Sequence, residues 1–184
     1  MKLAMFGAAD PGPCVPDGRR GAVGLSVAAD RVHPAGMSEI LTGGCQCGRI
    51  RYRAEIASDE AYLCHCRMCQ RATGSVSIAF KNVKQADVQW DREPDWYESS
   101  PIARRPYCRE CGTSLGFAFQ DGSGNMDLTV ASFDDPSRFV PKHHFGAESM
   151  HRAWLNTEGL PEKKTEDYQP LVDKWVDATG KFPG

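Results

Sequence analysis

From Gly48 onward the chain alternates, with Ile50, Tyr52, Ala54 and Ile56 interleaved between Arg49, Arg51, Arg53 and Glu55. A period of two with one apolar and one charged face predicts an antiparallel strand buried on one side. Further short strands are expected over 75–81, 87–91, 102–107, 114–119 and 126–133, separated by Gly, Pro, Asn and Asp. The period changes near the end. Leu171, Val172, Trp175 and Val176 recur at helical spacing, with Pro170 early and Gly180 placed as a stop, so one amphipathic helix is expected there. The polar run 156–167 reads as a solvated connection. Residues 1–36, rich in Gly, Ala and Pro without a sustained apolar period, read as an accessory, flexible tail, and Met37-Ser38-Glu39 after them resembles an independent start of translation. The expected organisation is a tail over 1–36, a mainly β domain over 37–162 and a C-terminal helical extension over 163–184.

Composition narrows the class. With 184 residues, 41% apolar and 9% aromatic, the chain suits a single well-buried domain. It holds no run of about 18 apolar residues, the length a membrane helix needs. The formal charge of −2 argues against indiscriminate binding to phosphate backbones, and zinc-bound thiolates would make it more negative still.

The cysteines carry the chemistry. Seven of eight fall in three tight clusters, Cys45-Gln46-Cys47, Cys64-His65-Cys66-Arg67-Met68-Cys69 and Cys108-Arg109-Glu110-Cys111. Disulfides also need an even number, and the N-terminal stretch Met1-Lys2-Leu3-Ala4-Met5-Phe6-Gly7-Ala8-Ala9 faintly resembles a secretion signal. Cys-X-Cys and Cys-X-X-Cys pairs in a chain of this size favour a reducing, cytoplasmic compartment and a metal. Cys14 stands alone and reads as a reduced bystander.

Zinc takes four tetrahedral ligands in a structural site and three protein ligands plus an open position where it does chemistry. Seven cysteines divide the same way. A Cys-X-X-Cys turn such as Cys108 to Cys111 points both sulfurs inward, with Gly112 freeing the exit, and Cys45 and Cys47 lie among Gly43, Gly44 and Gly48. These pairs together make one closed site. Cys64, Cys66 and Cys69 make a second that lacks a fourth cysteine. His143, His144 and His151 are candidates to complete it, with water or a substrate thiolate as the competing occupants; His65, between two ligands, points away if the chain is extended. An iron–sulfur cluster is compatible with all-sulfur ligation, but the pair spacings match no ferredoxin pattern.

The order Gly44-Cys45-Gln46-Cys47-Gly48, then Cys64 through Ser75, then Cys108-Arg109-Glu110-Cys111-Gly112 resembles the glutathione-dependent formaldehyde-activating enzyme family, which includes centromere protein V-like proteins. The resemblance covers roughly 42–160, with Pro141-Lys142-His143 and Trp154-Leu155 before Gly159-Leu160-Pro161 similar to the family's closing segment. It implies an Mss4-like β-sandwich of short antiparallel strands organised around zinc, followed here by a C-terminal helix. It also implies a structural zinc on Cys45, Cys47, Cys108 and Cys111 and a catalytic zinc on Cys64, Cys66 and Cys69.

The implied activity is that of a zinc-dependent carbon–sulfur lyase, adding glutathione or a related thiol to formaldehyde or another small electrophile, as an S-hydroxymethyl glutathione synthase does. Arg67, Arg71 and Arg105, with Arg104 and Arg109, are cationic candidates for a glutathione carboxylate; the competing reading makes each a solvated side chain. The Arg49, Arg51, Arg53 stripe reads as a solvent face. Trp90, Trp96, Phe117, Phe119 and Trp154 read as core or pocket wall. The alternative from another class is a non-enzymatic zinc module that binds a protein or nucleic-acid partner, which a histidine ligand at the second site would favour. Zinc-activated hydrolysis or deamination ranks behind both, because neither His-X-Glu nor His-Glu-X-X-His occurs.

Overall fold

The computed structural model describes residues 38–162 and 164–182. The tail expected over 1–36, with Cys14, lies outside them. Along the described chain the strands are β1 (Glu39–Gly44), β2 (Arg51–Ile56), β3 (Glu60–Cys64), β4 (Ile78–Lys84), β5 (Val88–Trp90), β6 (Asp95–Ser100), β7 (Ala103–Tyr107), β8 (Gly116–Phe119), β9 (Asn125–Thr129) and β10 (Val140–Phe145). The helices are α1 (Arg67–Thr73), α2 (Arg152–Leu155) and α3 (Gln169–Thr179).

The strands form two sheets. One is three-stranded and antiparallel in the order β1-β2-β5; the other has seven strands in the order β10-β3-β4-β9-β8-β7-β6. The alternation in β2 has the expected effect: Tyr52, Ala54 and Ile56 are buried, while Arg53 and Glu55 are exposed. They pack with Val83, Met126, Leu128 and Ala118 of the larger sheet in one core. Fully burying a side chain such as Ile56 or Leu128 stabilises the fold by about 1.5–3 kcal/mol. Tyr52 satisfies its buried hydroxyl on Ser132 Oγ at 2.8 Å, and its ring meets Trp90 and Phe133 edge-on, with centroids 5.3 and 5.4 Å apart.

The opposite face of the large sheet positions the site. Directly paired residues in a sheet point the same way, as do residues two apart on one strand. Tyr62 pairs with Phe80 and Cys64 with Ile78; Asn82 pairs with Asp127, Asp127 with Phe117, and Phe119 with Ala103. The register therefore places Tyr62, Cys64, Phe80, Asn82, Asp127, Phe117, Phe119 and Arg105 on one face. A second cluster of Cys64, Cys69 and Phe80, flanked by Tyr62, Ile78 and Phe117, forms there.

Three features differ from the sequence expectation. The strand expected over 126–133 ends at Thr129, where Val130–Ser132 turns into a 3-10 helix. The strands β1, β3, β6 and β10 are additional. The large sheet is also mixed, because β10 pairs with β3 in parallel, with a register shift between Pro141 and His144. The C-terminal helix forms as expected, with Pro170 in its first turn and Gly180 at φ 70° closing it. Of its apolar residues Val172 is buried, while Leu171, Trp175 and Val176 stay exposed. No helix among the described residues is long and apolar enough to cross a membrane.

Candidate metal centre and cavity

The turn after β1 and the turn after β7 meet. The Gly48 N–H donates to the Cys45 carbonyl at 3.0 Å, and the Gly112 N–H to the Cys108 carbonyl at 2.8 Å. Each turn then leaves through a glycine in the left-handed region, at φ 75° and 74°, where a Cβ is unfavourable. The sulfurs of Cys45, Cys47, Cys108 and Cys111 consequently lie within 4.8 Å of one another. Donors are aimed at them: the Ile50 N–H meets Cys45 Sγ at 3.3 Å, and Thr113 Oγ1 lies 3.1 Å from Cys111 Sγ.

The second group is built at the start of α1, a helix hidden from the periodicity because it is only seven residues long. Cys66 is its N-cap, its sulfur accepting from the Cys69 N–H at 3.4 Å, and Gly74 at φ 66° ends it. One helical turn brings Cys69 back over Cys66, and β3 delivers Cys64. The three sulfurs lie within 4.8 Å of one another. Gln70 fixes the helix by donating to the carbonyls of His65 at 2.7 Å and Ser149 at 3.1 Å.

The donor sets fit a metal. All seven described cysteines are free thiols rather than disulfides, and thiolates packed this closely repel unless a cation compensates them. Their proton affinities split accordingly. The Arg49 backbone lowers the Cys47 pKa, but desolvation and the Cys45, Cys111 and Cys108 sulfurs outweigh it and push the thiol up to about 12. Against desolvation, hydrogen bonds from Thr113 hold Cys111 down at about 6. In the second group the bond from Cys64, helped by Arg105, holds Cys69 down at about 5, while Cys64 is pushed up by the same bond and by burial.

No histidine or carboxylate among the described residues joins either sulfur group. His65 is fully buried, with Nε2 2.9 Å from His144 Nδ1. His143 stacks on Tyr62 at 5.2 Å, and His151 on Trp154 at 4.3 Å.

The three-sulfur group opens onto a cavity of about 530 Å³ lined by Tyr62, Phe80, Phe117, Phe119 and Phe145, with Arg105 and Asp127 as its charged groups. Arg105 is 1% exposed. Its Nη2 donates to Cys69 Sγ at 3.3 Å, its guanidinium carbon lies 4.9 Å from the Phe117 ring centre, and its Nε and Nη1 have no hydrogen-bond partner. Asp127 accepts from Asn82 Nδ2 at 3.0 Å; burial raises its pKa against the pull of Asn82, Tyr62 and Arg105.

The remaining candidates sit elsewhere. Arg67 is exposed and bonds to Gln70, and Arg71 is exposed at the end of α1. Arg104 covers the Trp96 ring at 4.2 Å, and Arg109 pairs with Asp95 at 2.8 Å. The stripe of Arg49, Arg51 and Arg53 is not wholly solvated, because Arg49 pairs with Asp95 and Arg51 with Asp134. Of the aromatics, Phe117 and Phe119 are cavity wall, whereas Trp90, Trp96 and Trp154 are not among its lining residues. Sequence reasoning missed Tyr62, Asn82 and Asp127. The signal for Asp127 was a lone acid flanked by the apolar Met126 and Leu128 in a strand segment.

An uncharacterized lyase of Schizosaccharomyces pombe is 34% identical over 80 residues, 44% of this chain; the match spans 58% of that protein's length. A solved structure of a Rhodobacter sphaeroides protein overlaps 56% of this chain and 99% of its own, with a TM-score of 0.47 and 20% identity. A family model described as glutathione-dependent formaldehyde-activating enzyme matches residues 40–149, a span that contains both sulfur groups and the whole cavity lining. The chain belongs to the glutathione-dependent formaldehyde-activating enzyme family.

Proposed function

We propose that the chain is a zinc-dependent enzyme of carbon–sulfur lyase type, which joins glutathione or a related thiol to a small electrophile and splits the adduct in the reverse direction. The observation that carries this reading is the three-sulfur group of Cys64, Cys66 and Cys69, which opens on a cavity and is joined by no fourth ligand among the described residues. Cys45, Cys47, Cys108 and Cys111 would hold a structural zinc, giving two metals per chain. Zinc held by Cys64, Cys66 and Cys69 would supply the positive charge that keeps an incoming sulfur as its thiolate.

The chain's own residues do the rest. The aromatic wall surrounds the sulfurs with apolar surface, which strengthens each electrostatic contact beside it. Arg105 holds Cys69 in its charged form through Nη2 and keeps two further N–H-bearing nitrogens for the electrophile. In the forward direction a sulfur–carbon bond forms, the carbonyl π pair moves to oxygen, and the proton that left the thiol ends on that oxygen. Asp127, whose burial favours the protonated carboxyl, shares the face with Arg105 and passes this proton. Free thiols at seven positions suit a reducing, cytoplasmic compartment.

Native mass spectrometry of zinc-replete protein, with and without glutathione, tests the reading. Two zincs and one glutathione per chain are expected, with the thiol and one zinc lost together in Cys66→Ser. Unchanged metal content and thiol uptake in that variant would overturn it.

A further inference from the structure

The cavity, about 530 Å³, has to take the thiol as well as the electrophile, so its lining rather than its volume selects the electrophile. Its walls are of the wrong kind for a wholly polar ligand set. Glutathione brings two carboxylates and an ammonium, while the charged lining is one guanidinium and one carboxyl set among aromatic rings. Phe117 and Phe119 stand edge to face at 88° with centroids 4.9 Å apart, and Tyr62 lies tilted against Phe80 at 5.8 Å. Rings held this way offer faces and edges to another flat apolar group.

The mouth tells the same story independently. Met68, Ile102, Phe119 and Phe145 all line the cavity and are 51%, 62%, 43% and 60% exposed. These side chains come from α1, the β6–β7 turn, β8 and β10, so four separate segments present apolar surface to one opening. An apolar rim around a concave pocket marks a ligand site. At the floor, Arg105 Nε and Nη1 are buried without a partner, and orphaned buried donors are rare because each forfeits its hydration. The lining thus asks for an oxygen acceptor at one end of the ligand and an apolar body at the other.

We propose that the electrophile taken here is an aldehyde with an apolar, aromatic-sized body. Its carbonyl oxygen accepts from Arg105, and its body lies against Phe117, Phe119 and Phe145. This rests on the reading of Cys64, Cys66 and Cys69 as the reactive centre. The reaction is a thiol addition without net redox change: the thiol sulfur bonds to the aldehyde carbon, the carbonyl π bond becomes a C–O bond, and the thiol's proton ends on the hydroxyl of the hemithioacetal.

The test uses zinc-loaded full-length protein and fluorine NMR. Titration with 4-fluorobenzyl alcohol, which cannot react, reads binding alone; exchange spectroscopy with glutathione and 4-fluorobenzaldehyde reads turnover, with formaldehyde compared by proton exchange. Saturable binding of the alcohol is expected, weakened at least tenfold in Phe119→Ser and in Phe145→Ser and unchanged in Trp175→Ser on α3. The aromatic aldehyde is expected to exceed formaldehyde at least tenfold in kcat/KM, an advantage that the two phenylalanine variants lose. Both phenylalanines are exposed, and thermal melts matched to the parent show that the variants fold. If formaldehyde is processed and the alcohol does not bind, or binds equally to Phe119→Ser, this inference falls and the thiol–electrophile reading stands. If neither aldehyde is processed and no thiol is taken up, both fall.

Discussion

Arg105 Nη2 donates to Cys69 Sγ at 3.3 Å across 36 residues of sequence, joining a buried guanidinium to the sulfur that closes the first turn of α1. The pairing explains how Arg105 is tolerated at 1% exposure. A buried cation needs a charged partner, and a thiolate among other thiols needs a cation.

Replacing Arg105 by Met removes that charge without removing much volume. Cys69 sits at about 5 with Cys64 as the larger cause and Arg105 as a further one. The expected rise is therefore partial, about one to two units within the range an adjacent opposite charge produces. The pH midpoint of iodoacetamide labelling at Cys69 in metal-free protein should move up by that amount, and the pH at which the three-sulfur group loses half its metal should rise with it, because protons and metal compete for the same sulfur. Arg105→Lys should recover part of the shift, since it restores charge but not the planar fork.

The two sulfur groups should fail differently. Cys108 is fully buried in the main core, and its group ties the turn after β1 to the turn after β7 across more than 60 residues. Cys108→Ser should lower Tm by more than about 10 °C, the equivalent of about 3–5 kcal/mol in a chain of this size. Cys66→Ser should lower it much less while abolishing thiol uptake. Scanning calorimetry of both variants beside metal analysis checks this.

Gly146 has φ 68°, and a Cβ there would come within 2.8 Å of the Cys66 backbone nitrogen. Gly146→Ala combines backbone strain with a collision at the helix cap, so metal at the three-sulfur group should fall at least tenfold in affinity while the four-sulfur group keeps its metal. Gly180→Ala, at φ 70° with nothing nearby, should cost only about 1 kcal/mol of local strain and leave both groups loaded. Competition with a chromogenic chelator separates the two outcomes.

Asp127 supplies a pH test whose sign is set by its raised pKa. A carboxyl that binds its proton more tightly in the folded than in the unfolded chain lowers stability as pH climbs from the ordinary value of about 3.9 through the raised one. Below that window the acid is protonated in both states and the penalty is absent. Asp127→Asn should therefore gain stability relative to the parent as pH rises across the window, with a constant advantage above it. The difference between urea midpoints of the two proteins reads this directly, because metal loss at low pH affects both alike.

The parts legible in sequence are those whose signal is local. The β2 alternation, the Pro170 and Gly180 punctuation of α3, and the cysteine pairs each need only neighbouring residues to be read. The strand β3 was hidden because Tyr62, Leu63 and Cys64 are apolar on both sides, as suits a strand with neighbours on either edge. The strand β6 carries Asp95, Glu98, Ser99 and Ser100 as an edge strand, and β10 carries Pro141, which edge strands tolerate. A Cys cap is outside the usual Ser, Thr, Asp and Asn set, so α1 gave no start signal. The burial of Arg105 depends on five strands meeting in register, and no window of sequence contains that.

The parallel pairing of β10 with β3 also sets an order of assembly during synthesis. Cys64, Cys66 and Cys69 leave the ribosome early, whereas Phe145, which pairs with Cys64 at the cavity mouth, follows about 80 residues later in the chain. A parallel partner must be reached by a long crossover, and domains complete themselves only as their last elements emerge. The nascent chain thus presents these three sulfurs, unroofed, to cellular metal and oxidant before the strand that encloses them exists. Early capture of a metal ion by these three thiols would shield them from oxidation for that interval.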